Sequence, residues 1–376
     1  MFEVSRKELM RKSSVMQGIT GRKTTLPILN NVFMKWEGGF LYLTGTDLET
    51  TIQESLEAKV YKEGKASVSS KKLFEIVKEL SGESVKIQGK ENHWINIQCE
   101  KSVFNFSGFD PDEFPSLPVT EGPFVSISLR TLKEMIEKTA FASASEDRGY
   151  GGINNVLFIC ERNGNLGKLR LVATDGYRLS LIEKHSSFIE GTDIGVLIPK
   201  KSILDVKRVL EENEDFEEVG IYFSGSHGFF NVGSSLVTVR LSDEKFPEYE
   251  NVIPKKSSGV LVVDPDSFCS SLRRISSMWD KDSHAIKLSF NGNEGSLELS
   301  SSDLEFGFAK EELSVSYEGS PLEIGFNARY LFEGVQAMGS FLVLIELIDG
   351  GSPCVVRPGD SESLFKQVYV LMPMRL

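Results

Sequence analysis

The chain has 376 residues, 40% of them apolar and 26% charged, which is globular composition with enough length for two or three domains. Its 42 basic and 54 acidic residues leave a net charge of −12, which excludes a protein that coats nucleic acid through uniform positive charge but leaves room for a local basic surface. The four Cys (Cys99, Cys160, Cys269, Cys354) and four His (His93, His185, His227, His284) are scattered, which argues against a zinc ribbon, a redox pair, a disulfide framework or a bound metal, and no cofactor is expected. In chain order, the N-terminus lacks an apolar leader and reads instead as a helix over 5–18. Alternating strands follow near 41–46 and 49–56, then a short helix over 70–81 and strands at 85–87, 95–97 and 103–106. A Pro-rich exit at 110–118 precedes a helix over 129–142, strands at 169–174 and 177–182, a helix over 199–212 and strands at 219–223 and 236–241. A second Phe-Pro exit at 246–254 precedes a helix over 265–278, strands at 297–302 and 304–308, a helix from Ala328 and a strand at 342–347. The longest apolar run, 341–347, is broken by Glu346 and fits a buried strand, not a membrane span, so the expected compartment is the cytoplasm.

This order is a repeat. Leu41, Leu43, Thr46 and Asp47 recur as Leu169, Leu171, Thr174 and Asp175, and again as Leu297, Leu299, Ser302 and Asp303, 128 residues apart both times. A strand that ends in a hydroxyl and an Asp suits an Asx turn leading into a second strand. A basic residue recurs early in the second helix of each copy, at Lys71, Lys201 and Arg329. The expected fold is therefore α+β: three repeated two-helix, two-sheet domains over 1–124, 125–254 and 255–376. The recurring Asp residues could also be imagined as metal-binding carboxylates of an enzyme. One per copy, without a Glu, His or Lys at fixed spacing, they read as turn formers, and no P-loop, G-x-S-x-G or G-x-G-x-x-G motif is present.

Charge is unevenly divided over the copies. The helices of the first two copies, with the adjoining Arg22 and Lys23, sum to +8, and those of the third are neutral once the capping Asp264 is counted, so the rest of the chain carries −20. Lys on amphipathic helices has two readings: a solvated face, or a basic surface that touches phosphates without reading sequence.

Five segments carry a resemblance: Thr25-Leu26-Pro27-Ile28-Leu29-Asn30-Asn31, Thr44-Gly45-Thr46-Asp47-Leu48-Glu49, Ala173-Thr174-Asp175-Gly176-Tyr177-Arg178-Leu179, Lys245-Phe246-Pro247-Glu248-Tyr249 and Met372-Pro373-Met374-Arg375-Leu376. In these the chain resembles, over its whole length, the bacterial DNA sliding clamps, the beta subunits of the DNA polymerase III holoenzyme. The resemblance implies a non-catalytic processivity factor: a six-domain ring made by two chains joined head to tail, with helices lining a hole for double-stranded DNA. It implies DNA-facing residues at Arg22, Lys23, Lys71, Lys72, Lys200 and Lys201. It implies a groove between the second and third domains that takes a Gln-plus-apolar motif of the DNA polymerase III catalytic subunit, the clamp loader, and other polymerases and repair proteins. The groove positions are Ile153, Thr174, Gly176, Tyr177, Arg178, Leu179, Pro247, Val252, Val370, Leu371, Met372, Pro373, Met374, Arg375 and Leu376, with Arg178 and Arg375 as polar anchors. Phe104 and Phe106, with Leu272 and Met278, are the implied dimer contacts. The chain departs from the family pattern at Gly151-Gly152, Tyr177 and Asn251, so the motif preferred by the groove is expected to differ.

Overall fold

The structure, a computed structural model, describes residues 1–376 apart from 23, 121, 146–150, 164–165, 187–193, 278–284, 291–294, 304–306, 361–364 and 376. The described α-helices are α1 (Arg6–Thr20), α2 (Ser70–Glu79), α3 (Leu129–Glu137), α4 (Lys200–Glu211), α5 (Pro265–Ser276) and α6 (Ala328–Met338). Side-chain caps start five of them: Ser5, Ser69, Ser128, Asp264 and Asn327 each accept a backbone N–H three residues on. Gly339 ends α6 at φ +63°, the left-handed conformation glycine tolerates best. The helix expected over 129–142 is shorter. Thr139 leaves helical geometry (φ −127°, ψ −50°) and turns its hydroxyl onto the Met135 carbonyl, after which one 3-10 turn, Ala140–Ala142, follows. Among the described residues no helix is long and apolar enough to cross a membrane.

The chain forms two compact units, 1–133 with 201–241, and 134–200 with 242–376. In the first, a twelve-stranded sheet runs from Ser102–Ser107 through Trp94–Cys99, Ser84–Gly89, Phe2–Ser5 and Thr50–Val60 to Ser235–Arg240, His227–Val232, Glu218–Ser224 and Val125–Ser128. Asn31–Glu37, Phe40–Thr46 and Gly64–Ser69 complete it alongside Thr50–Val60. Leu9, Met16 and Ile19 of α1 and Leu73 and Val77 of α2 are all fully buried. In the second unit, a nine-stranded sheet includes Leu166–Thr174, Arg178–Ser186, Lys366–Leu371, Cys354–Pro358 and Val343–Leu347 as consecutive neighbours. A four-stranded sheet runs Gly307–Ser314, Ser296–Asp303, Ala285–Phe290, Leu322–Asn327. Phe268 and Leu272 of α5 and Leu331 and Val335 of α6 share one core with Leu288, Leu299 and Phe326 of the small sheet and Ile345, Val356 and Tyr369 of the large one.

Strand pairing crosses the repeat in a regular way. The strand after the Asp turn of the first copy, Thr50–Val60, pairs with the last strand of the second copy, Ser235–Arg240. The strand after the Asp turn of the second copy, Arg178–Ser186, pairs with the last strand of the third, Lys366–Leu371. The residues of the second copy are thus divided between the two compact units.

A charged pair lies inside the first unit. Lys12 of α1 and Glu54 are both almost fully buried and paired, and the Ser235 hydroxyl donates to the same carboxylate at 2.7 Å. Burial pushes the Glu54 carboxyl above its ordinary range against the attraction of Lys12. The pair ties α1 of the first copy to the last strand of the second. Lys12→Ala should therefore lower the urea-unfolding stability by about 3–5 kcal/mol, because it strands a buried carboxylate, whereas Lys12→Met with Glu54→Leu should recover most of the loss.

Candidate binding groove and basic surface

The site begins at a turn. The Asp175 carboxylate accepts the backbone N–H groups of Tyr177 (3.0 Å) and Arg178 (3.1 Å), and Thr174 accepts that of Gly176 at 3.1 Å. Asp47 and Thr46 repeat this arrangement with Glu49, Thr50 and Leu48. Asp47 and Asp175 therefore act as turn formers, and among the described residues no group of three or more His, Cys, Asp or Glu could hold a metal ion. The third residue of each turn takes positive φ: Gly176 at +87° without strain, Leu48 at +75° with a side chain that resists it.

The turn delivers Arg178–Ser186 beside the C-terminal strand, with Leu179 opposite Val370 and Arg178 opposite Leu371. Strand alternation then sorts the expected groove residues onto two faces. Leu179 and Val370 join Val172, Leu181, Tyr249, Val355 and Val368 in one apolar cluster, with Phe246 and Ile253 packed on it. This cluster is the candidate floor of the expected groove. Thr174, opposite Leu179, lies at its end. Exposed Pro247 and Val252 (48% accessible) lie on the segment that also supplies Tyr249 and Ile253 to the floor. Tyr177 is 67% exposed and Met372 41%, and the Met372 N–H donates to the Tyr177 carbonyl at 2.9 Å. The tail is pinned again where the Met374 N–H reaches the Gly325 carbonyl at 2.8 Å, leaving Pro373 and Met374 half-buried and Arg375 exposed. Leu376 lies outside the described residues. Ile153 is half-buried and its carbonyl accepts the Ala144 N–H at 2.9 Å. Gly152 beside it has φ +82°, and a side-chain carbon there would come within 2.7 Å of the Lys245 carbonyl, so this departure from the family pattern is a packing requirement.

Two of the expected groove residues lie on the opposite face of the strand pair from that apolar cluster. Leu371 faces the other way, into the core of α5 and α6, because it is one residue out of phase with Val370. Arg178 is buried and is not a free polar anchor. Its guanidinium donates to Asp175 at 2.9 Å, to Glu333 and to the Phe141 carbonyl at 3.0 Å, and lies 4.1 Å above the Tyr330 ring. It braces the turn that presents Tyr177. Of the two expected anchors, Arg375 is the exposed one. Phe246, Tyr249, Ile253, Val172 and Val355 were not among the expected site residues. The alternation of 169–174 and the Phe-Pro exit held the signal for the first four.

The basic residues divide similarly. Arg22 donates to Asp47 and to both oxygens of Asp205 (2.6 and 2.7 Å), and Lys201 pairs with Asp47 at 2.9 Å and Glu49 at 3.4 Å. Burial would raise the Asp47 carboxyl, but Lys201, the Thr50 N–H and Arg22 outweigh it and hold it below its ordinary range. Lys200 donates to the Ser143 carbonyl at 2.6 Å, and burial lowers its pKa. Lys71 and Lys72 stand exposed on α2, with Lys71 3.9 Å from Glu75. Lys23 lies outside the described residues. Of the expected dimer contacts, Phe104 is 38% exposed and Phe106 half-buried on the edge strand Ser102–Ser107. Leu272 is 1% exposed inside its own domain core, so it packs its own fold and is corrected as a contact; Met278 lies outside the described residues.

Burial would raise the Glu333 carboxyl, but its bonds to Arg178 and Arg329 more than offset that and hold it below its ordinary value of 4.5. A depressed carboxylate contributes stability that is present above that value and is lost as pH falls through the folded one. Arg178→Gln should cost about 2–4 kcal/mol at neutral pH, and the gap to the parent protein should narrow as urea titrations move to progressively more acidic pH.

The profile of the DNA polymerase III beta subunit N-terminal domain matches residues 1–118, that of the central domain 126–248, and that of the C-terminal domain 250–375. The chain is 33% identical over 379 residues to the beta sliding clamp of Pseudomonas aeruginosa, covering 100% of both chains. A solved structure of DNA polymerase III subunit beta from the same organism superposes with TM-score 0.90 at 31% identity, covering 100% of both chains. The sliding clamp of Bartonella birtlesii bound to griselimycin gives TM-score 0.91 at 31% identity, again over 100% of both. With all three profiles matched in order and full-length relatives on this scale, the chain belongs to the DNA polymerase III beta subunit family, the bacterial beta sliding clamps.

Proposed function

We propose that the chain works as a head-to-tail homodimeric ring of three clamp domains per chain, 1–124, 125–254 and 255–376, that encircles duplex DNA in the cytoplasm and tethers partners through the groove. It is the non-catalytic processivity subunit of its polymerase. The observation that carries the ring is the pairing rule of the strands. In the first and second copies, the strand after the Asp turn is closed by the last strand of the next copy. In the third copy that strand, Gly307–Ser314, is a sheet edge, and so is the last strand of the first copy, Ser102–Ser107. A second copy of the chain supplies each edge with the partner it lacks. Val103, Phe104 and Phe308, all exposed, mark these edges as apolar, which in a lone chain invites uncontrolled pairing. Two identical junctions close a two-fold assembly.

Within the ring, Lys71 and Lys72, together with Lys23, carry the phosphate contact. Arg22, Lys200 and Lys201 contribute less, since each already has a partner within the chain. Contacts of this kind are sequence-independent and exchange rapidly, which suits sliding. The groove takes the Gln-plus-apolar motif of the DNA polymerase III catalytic subunit, the clamp loader and other polymerases and repair proteins, seating apolar side chains over Leu179 and Val370. Tyr177, Met372 and Arg375 form its accessible rim.

Three measurements test the reading. The parent protein should sediment as a dimer and, once loaded, stay on nicked circular DNA until the DNA is linearised. Phe104→Glu should yield a monomer that is not retained. Retention by a monomer, or indifference to DNA ends, would overturn the ring. Lys71→Glu with Lys72→Glu should lower the salt dependence of weak DNA association by about one slope unit per residue, with the dimer intact. Deletion of residues 374–376 should abolish binding of a fluorescent Gln-plus-apolar peptide without changing sedimentation.

A further inference from the structure

The groove floor does not stop at its apolar residues. On one face of the nine-stranded sheet the residues form three successive rungs. The first joins Thr174, Leu179, Val370 and Val355, and the second joins Val172, Leu181 and Val368. The third joins Arg170, Glu183 and Lys366. The same face therefore grades from apolar to charged over about 13 Å, two residue pairs along the strands. At the charged end a cavity of about 520 Å³ opens between the sheet and the segment after Tyr249, and its lining includes Lys255, Lys256, Arg357 and Lys366.

The charges there are unevenly matched. Arg170 holds Glu183 at 2.6 Å and lies 3.5 Å from Glu250, and Arg357 holds Glu346 at 3.3 Å. All three carboxylates of the lining are thereby engaged by arginines. Lys255, Lys256 and Lys366 are exposed and, among the described residues, have no carboxylate within ion-pair distance. In a chain of net charge −12, this leaves a concave, cation-rich pocket continuous with an apolar groove. Burial would raise Glu183, but Arg170, Lys168 and Lys366 outweigh it and hold it low, so the lining keeps its ion pairs; Lys366 shares its charge with Glu183, opposite it in the sheet, and adds to the positive field of Lys255 and Lys256.

We propose that this pocket is an anionic flank site of the groove: a partner segment with its apolar residues over Leu179 and Val370 places one or two carboxylates, about four residues away along its chain, beside Lys255, Lys256 and Lys366. The proposal rests on the groove reading above and names the chemistry of the partner. Partners with acidic flanks gain affinity there; partners with neutral flanks bind through the apolar residues alone.

The test uses the full chain and fluorescence anisotropy of synthetic peptides that share one Gln-plus-apolar motif. One peptide carries two Gln in the flank, and two others carry two Glu on the N-terminal or the C-terminal side. One of the Glu peptides should bind roughly 5-fold more tightly than the Gln peptide, an effect sized for two or three solvent-screened pairs, and the advantage should shrink with added salt. Lys255→Gln, Lys256→Gln and Lys366→Gln together should erase the advantage and leave the Gln peptide unchanged, which also shows that the variant is folded. Equal affinity of all three peptides for the parent protein, or an advantage that survives in the triple variant, overturns the flank site while the groove stands. If no peptide binds, the groove reading fails and the flank site fails with it.

Discussion

A β-strand at the edge of a sheet exposes a row of backbone donors and acceptors that must be paired, covered or solvated. Each copy of the repeat here builds sheets whose edges it cannot close alone. The chain answers this twice by borrowing the last strand of the following copy, Ser235–Arg240 for Thr50–Val60 and Lys366–Leu371 for Arg178–Ser186. Much else depends on this exchange. It fuses sheets into twelve and nine strands and divides the second copy between the two compact units. It also places a buried Lys12–Glu54 pair against Ser235 of the incoming strand. That pair requires the exact partner strand, since an unmatched charge in that interior is costly.

The second exchange also makes the groove. By bringing the C-terminal strand beside Arg178–Ser186, it sets Leu179 against Val370 on one face and Arg178 against Leu371 on the other. One face becomes a buried apolar cluster under the exposed Tyr177 and Met372. The opposite face buries Leu371 and clamps Arg178 between two carboxylates and the Tyr330 ring. The groove rim and its brace are thus the two faces of a single strand pair. The chemistry of the groove follows from the rungs that the pairing sets, apolar near the turn and charged further along.

The acidic whole-chain charge sharpens in the same light. Arg22 and Lys201 converge on Asp47, the turn-forming carboxylate of the first copy, so part of the helical positive charge stabilises the fold instead of facing outward. Lys71 and Lys72 of α2 remain exposed. Weak contact with a polyanion needs no more than that when retention comes from closure around it, and a small number of screened pairs exchanges quickly.

The sequence alone determined the repeat, the helix positions, the turn chemistry of Asp47 and Asp175 and the family, because these are local or periodic properties: spacing of apolar residues, caps, and a hydroxyl–Asp turn. It also named Leu179 and Val370, which the strand pairing brings into one apolar cluster. It could not tell Leu371 from Val370, or a braced Arg178 from a free one, since adjacent strand residues differ only in the face they take and that face is set by the neighbouring strand. Nor could it show that Arg22 and Lys201 meet on Asp47, or that Leu272 is enclosed by its own core. Those contacts join residues far apart in the chain, and only tertiary structure brings their partners within bonding distance.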